Sequence, residues 1–191
     1  MTTPLEKRLD QILPKVTAPE FLSASGLGNE IPFFIFDYPP EDELVVRKHV
    51  AFLLQQIPKV KPSLRVANVD LFQTVLAYLR ERHLLDKAIE LQRTKGDAAL
   101  RKNIAAPLDP AKFAQAFVQH ARPAEHELVF ATGVGSAWPL VRVHPLLNNL
   151  HPLMEKTPLV MFYPGRYDGQ YLRLFGKLRQ NNYYRAFRLV P

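Results

Sequence analysis

Two four-residue runs of the sequence are apolar at every position, Leu128-Val129-Phe130-Ala131 and Leu159-Val160-Met161-Phe162. They are too short for free-standing helices, and they lack the period-2 alternation of a strand with one face in water. Strands of this kind have both faces covered, which is the grammar of a parallel sheet with helices on each side. The surrounding stretch, 127–169, reads as buried strand, glycine-bearing turn, helical segments, a second buried strand, and a turn rich in Gly, Tyr and charge. In such sheets the loops that follow the strands share one edge, where ligands and partners dock.

The rest of the chain supplies the other layers. Residues 4–25 predict a helical arm, with Leu5, Leu9, Ile12 and Leu13 at helical spacing, Pro14 stopping the run and Gly26 capping a second short turn. Residues 31–36 predict the first buried strand. A turn rich in proline and acid follows, leading into a helix whose stripe is Val46, Val50, Leu53, Leu54 and Ile57 and which ends before Pro58. Residues 64–69 predict a second strand, with Asp70 capping a helix that buries Phe72, Val75, Leu76 and Leu79. The more charged pieces 84–93 and 97–105, broken near Gly96, read as a helical insertion over 84–106. Asp109 and Pro110 open a helix that turns Phe113, Ala114, Phe117, Val118 and Ala121 to the core.

Beyond the strand 128–131, Ser136 predicts a cap. Pro145 then divides two short helical pieces, near 137–142 and 145–151. A strand at 159–163, a short helix at 171–178 and a last strand at 184–190 complete the reading. The whole is one α/β domain over 1–191: a three-layer sandwich, its mostly parallel sheet of about five strands covered by helices on both faces. Right-handed crossovers bring the loops 37–42, 68–70, 132–136 and 164–170 to one edge.

Composition limits the function classes. The chain of 191 residues has no cysteine, which removes disulfides, thiol catalysis and zinc–thiolate sites. No apolar stretch approaches the ~20 residues of a membrane span, and the first residues show no signal-peptide core, so the expected location is cytoplasmic. The formal charge of +7 is uneven: from His151 onward seven basic residues face two acids. That balance suits an anionic partner or an acidic protein surface.

Several positions on the shared edge invite chemistry. Thr132, Gly133, Gly135 and Ser136 suggest a phosphate-cradling turn, since glycines let backbone amides approach an anion at a helix start. Trp138 stands where a dinucleotide fingerprint needs its third glycine, and no lysine-bearing phosphate loop occurs anywhere, so a tight strand-to-helix turn is the simpler reading. Asp37 and Asp70 follow strands, where an acid can serve a metal or act as a base; Asp70 is more simply a cap. The six histidines fall into no metal-binding spacing, and no serine sits in a nucleophile elbow. Tyr163, Tyr167, Tyr171, Tyr183 and Tyr184 gather with Arg166, Arg173 and Arg185 near the end of the sequence. Tyr and Arg are the residues most used as interface anchors, and they also stack on bases.

Three stretches carry a family resemblance: FFIFDYPPEDELVVRK, FATGVGSAWPLVRVHPLLNNL and PLVMFYPGRYDGQYLRLFGKLRQNNYYRAFRLV. They resemble the BrxB family of bacteriophage-exclusion (BREX) defence systems, from about Ile31 onward. The resemblance implies a small cytoplasmic component of a multi-gene antiphage system that also contains a DNA methyltransferase, a large ATPase and the phosphatase-superfamily protein PglZ. It implies action through protein contacts, with no catalytic residue or cofactor carried over. The expectation is therefore a non-enzymatic assembly or adaptor subunit whose favoured partner is a PglZ-like protein, with the large ATPase second. Its contact set is Arg166, Tyr167, Asp168, Tyr171 and Arg173. Two alternatives stand beside it. One is a nucleotide- or ligand-sensing domain built on Asp37, Thr132, Gly133, Gly135, Ser136 and Arg142; the other is a nucleic-acid-binding accessory using the basic C-terminal region.

Overall fold

In the computed structural model, residues 3–23, 32–179 and 186–191 are described. Five parallel strands lie in the order β2-β3-β4-β1-β7: β1 (Phe33–Tyr38), β2 (Val66–Asp70), β3 (Leu128–Thr132), β4 (Leu159–Tyr167) and β7 (Phe187–Arg188). The two apolar runs form the heart of β3 and β4, which pair in register from Val129↔Leu159 to Ala131↔Met161. β1 packs against the other side of β4, from Phe33↔Leu159 to Tyr38↔Pro164. All of the residues in the two runs are buried, which explains their lack of polar alternation.

Helices cover both faces, giving the expected three layers. One face carries α1 (Pro4–Asp10), α2 (Ile12–Thr17), α3 (Pro19–Leu22) and α4 (Glu43–Val60). They pack Leu9, Ile12, Val46, Leu53 and Ile57 on Phe36, Phe130 and Phe162 of the sheet. The other face carries α5 (Leu71–Glu81), α6 (Leu85–Ile104), α7 (Pro110–Ala121), α8 (Val134–Ala137) and α9 (Val143–Leu150). Its core joins Val75, Phe113, Phe117, Leu146 and Leu147 to Ile35, Val129, Met161 and Tyr163.

Several boundaries differ from the sequence reading, each for a local reason. The arm breaks at Gln11, before Pro14, because the proline ring conflicts with the carbonyl four residues earlier; Pro14 itself sits in the first turn of α2. α4 runs through Pro58 to Val60, its last turn closed by Lys61 N–H on Ile57 O at 2.8 Å. Gly96 does break the ladder of α6, at φ 78°. Gly133, in the left-handed conformation, occupies the N-cap of α8, so Ser136 lies inside that helix. Pro145 falls in the first turn of α9, and the break between the two short helices is 138–142.

The largest correction concerns 164–178. β4 continues through Pro164, Gly165 and Arg166 to Tyr167 and doubles back as β5 (Leu172–Leu174) and β6 (Leu178–Arg179), antiparallel to one another. The expected helix at 171–178 is absent. Leu172 and Leu174 are buried with Arg173 between them, and that period of two belongs to a strand. Gly165 lets the backbones close, since a Cβ there would strike the Arg173 carbonyl. The last strand is limited to Phe187 and Arg188; Gly26, Ile31, Tyr183, Tyr184 and Arg185 lie outside the described residues.

Asp37 is a strand residue, not part of a turn. Its Oδ1 accepts from Arg8 at 2.9 Å and its Oδ2 from the Tyr167 N–H at 2.9 Å. Removing one partner of a well-buried ion pair costs several kcal/mol. Arg8 keeps 23% side-chain exposure, so Asp37→Ala is expected to cost about 2–3 kcal/mol in urea unfolding, with Arg8→Ala similar. At the opposite edge Arg65, entering β2, holds Glu127, entering β3, with Nη2–Oε1 at 2.6 Å. That hydrogen bond chiefly pulls the Glu127 carboxyl down to about 2. Because the folded value lies below the unfolded one, the pair stabilises above about pH 4.5 and its effect fades as pH falls toward 2. The urea midpoint of Glu127→Gln should therefore lack part of the acid-side decline seen in the parent.

Candidate functional site

The connection leaving β1 passes to the α4 face, whereas those leaving β2 and β3 pass to the opposite face. Strand ends that part in this way leave a crevice at the carboxyl edge of the sheet. Here it is a cleft of about 190 Å³ between α4 and the ends of β1 to β4. Its floor is Val46, Val50, Leu54 and Phe162; its rim is Tyr38, Glu43, Arg47, Asn68, Asp70 and Thr132.

A chain of polar bonds crosses the rim. The Tyr38 hydroxyl donates to Glu43 Oε2 at 2.6 Å, and Arg47 Nε donates to Glu43 Oε1 at 2.7 Å. Arg47 Nη2 then reaches Ser136 Oγ at 3.0 Å, tying α4 to α8. Burial, reinforced by the bond to Glu43, pushes the Tyr38 phenol far above its ordinary range, so it stays a donor. The same carboxylate raises Arg47 further, keeping it a fixed cation.

The glycine turn is shaped by an acid. Asp70 Oδ1 accepts the Phe72 and Gln73 N–H groups, each at 2.9 Å, and caps α5 as its sequence position suggested. A Cβ on Gly133 would lie 2.5 Å from that Oδ1. Gly133 is thus required by its φ of +70° and by the carboxylate packed against it. A carboxylate at this point repels phosphate, and α8 is only four residues long. Gly135 packs on Pro164 and Phe175, with its would-be Cβ 3.1 Å from the former. The turn is a close-packing device.

The ligand set read from the sequence is dispersed. Thr132 and Gly133 line the cleft and Ser136 takes the Arg47 bond at its mouth. Asp37 faces Arg8 on another side of β1, and Arg142 lies in a separate cleft among α6, α7 and α9.

The contact set, by contrast, is one hairpin. β4 and β5 project past the end of β1, and Asp168 builds their turn by accepting from Gln170 N at 3.0 Å and Tyr171 N at 2.7 Å. Those amides hold its carboxyl below the usual range. Arg166 and Asp168 are exposed; Tyr171 and Arg173 are half-buried. Tyr167 is fully buried and belongs to the support of the hairpin, not its outer surface: its hydroxyl lies 2.7 Å from Ala186 O and accepts Ala186 N–H at 3.3 Å. Beside the hairpin lies an apolar group that sequence reasoning missed. Trp138, 38% exposed, meets Phe175 edge-on at 6.0 Å, and Leu178 is equally exposed. Only the period-2 Leu172-Arg173-Leu174 pattern pointed to the strand that brings Phe175 there.

The fold and this edge define a parallel α/β sandwich with a filled-in glycine turn and a projecting aromatic hairpin. The family model described as "BREX protein BrxB" matches residues 67–189. Two relatives with that same description agree: one from Bacillus cereus (strain H3081.97) is 41% identical over 97% of each chain. The other, from Escherichia coli O9:H4 (strain HS), is 42% identical over 98% of this chain and 92% of its own. The chain belongs to the BrxB family of BREX proteins. No solved structure matches it at a comparable level.

Gly133→Ala combines left-handed strain with the Asp70 collision and should lower stability by about 2–3 kcal/mol. Gly169, at φ +95° with open space around its Cβ position, provides the contrast. Gly169→Ala should lose about 1–2 kcal/mol from backbone strain alone, and equal losses in urea titration would refute the collision.

Proposed function

We propose that this BREX component serves phage defence as a non-enzymatic adaptor that holds another protein of its system, a PglZ-like protein being the favoured partner and the large ATPase the second. The observation that carries this reading is the hairpin itself, which exposes Arg166 and Asp168 on a support fixed by buried Tyr167, Leu172 and Leu174 and meets exposed Trp138 through Phe175. Aromatic side chains and arginine are what interface centres use, and a rigid support lowers the ordering cost of docking. The acids of this edge support the reading too. Asp37 is held by Arg8, Glu43 by Tyr38 and Arg47, Asp70 by an α5 cap, and Asp168 by its own turn. Each has structural work in place of a substrate-facing role.

Co-purification with the PglZ-like protein and the ATPase from the same locus tests it. A salt-resistant complex with one of them is expected, weakened about tenfold or more by Trp138→Ala and by Arg166→Glu. Tyr167→Ala is unsuitable as a contact probe because it unseats the hairpin. Assembly with neither protein, or assembly indifferent to both surface variants, would overturn the reading.

A further inference from the structure

Arg142, drawn from the sequence as a ligand residue, lies outside the strand-end cleft. It stands instead on the rim of a second cleft, of about 350 Å³, where the end of α6, the start of α7 and the segment leading into α9 meet. The floor is apolar: Ile104, Leu108, Phe113, Val141 and Leu146 are all under a tenth exposed. Pro110, Pro139 and Pro145 stiffen its walls. A cleft with a fixed shape binds without first paying to order itself.

The rim carries a different chemistry. Arg101 and Arg142 both line the cleft and both are exposed. Five guanidinium groups of the described residues are ion-paired: Arg8 with Asp37, Arg47 with Glu43, Arg65 with Glu127, Arg122 with Glu125 and Arg173 with Asp168. Neither Arg101 nor Arg142 has an ion pair among those residues. Arg142 is also the N-cap of α9, and no side chain caps that helix, so its first amides add to the attraction for an acceptor.

We infer that this cleft receives an acidic segment of a partner protein, with a leucine- or phenylalanine-sized side chain on the apolar floor and flanking carboxylates on Arg101 and Arg142. A planar guanidinium matches a carboxylate in two-point geometry, and a desolvated apolar anchor beside it is the usual centre of such contacts. Nucleic acid fits the site poorly. Its backbone would satisfy the arginines and leave the floor uncovered, and Phe113, the aromatic ring of the lining, is 1% exposed and cannot stack on a base. Placing the segment on another protein of the system rests on the adaptor reading; the chemistry of the cleft does not.

The test uses the intact protein and a fluorescent peptide, Asp-Glu-Leu-Phe-Asp-Glu, followed by anisotropy at moderate salt. Saturable binding is expected, about tenfold weaker for the Asn/Gln version of the peptide and for the version with Ala in place of Leu and Phe. Arg101→Ala and Arg142→Ala should each weaken binding by about the same factor. Arg93→Ala, which removes an exposed charge on the same helix away from the cleft, should leave it unchanged. No saturable binding, or equal loss with Arg93→Ala, overturns the inference. The co-purification experiment separates the two failures. If the parent still assembles while the peptide fails to bind, the cleft inference falls and the adaptor reading stands. If the peptide binds with the expected arginine dependence and no assembly occurs, the adaptor reading falls alone.

Discussion

A single guanidinium gathers four parts of the chain. Arg8, on α1, donates to the Asp37 carbonyl at 2.7 Å and to Asp37 Oδ1 at 2.9 Å. It also reaches the Val190 carbonyl at 3.0 Å and the Pro191 carbonyl at 3.1 Å, and it lies 4.8 Å over the Phe36 ring. Asp37 passes the connection on through Oδ2 to the Tyr167 amide, where β4 leaves the parallel sheet and becomes the hairpin. The arm, β1, the last residues and the projecting edge are thus registered by one charge and its counter-ion. Neither partner is cheap to remove from water, and each repays it only because the other is present with further hydrogen bonds. The apolar layers supply the bulk of the burial; this junction ties the root of the hairpin to the arm and to β1.

The hairpin is held twice more at Tyr167. Tyr167 sends its ring into the core, while its hydroxyl bridges to Ala186 and its carbonyl takes Arg188. A side chain that looks from sequence like a surface anchor is therefore the root of the surface. Trp138, followed by Pro139 in the sequence and unfit for a dinucleotide turn, is held at the surface edge-on to Phe175.

The sequence was most legible where one force dominates. Burial on both faces makes 128–131 of β3 and 159–162 of β4 apolar at every position, and the layers and the sheet followed from those runs. Asp70 and Asp109 were readable as caps because a short acid before an apolar stripe has a local partner in the next turn. The failures share another cause. The 171–178 segment has both leucine spacing compatible with a helix and a three-residue alternation, and only its pairing with β4 decides between them. Asp37 looked like turn chemistry because its counter-ion lies far away in sequence, on α1. The tight turn read after β3 is present, but the acid packed against Gly133 belongs to β2 and is not visible in the turn's own sequence. Long-range partners decided each of these positions, and no window of the sequence contains them.

The short connection 138–142 gives the two candidate surfaces a common element. At its start Trp138 belongs to the hairpin edge; from Pro139 to Arg142 it walls the second cleft. It is non-helical, and it hangs between α8, locked under Pro164 and Phe175 through Gly135, and α9, buried through Leu146, Leu147 and Leu150. With both ends fixed, the segment has little room to move one contact without the other. A segment in the cleft and a contact at Trp138 would thus both press on these five residues. Pro139, one of the three prolines about the cleft, lies within this connection and fixes its own φ, which adds to that stiffness.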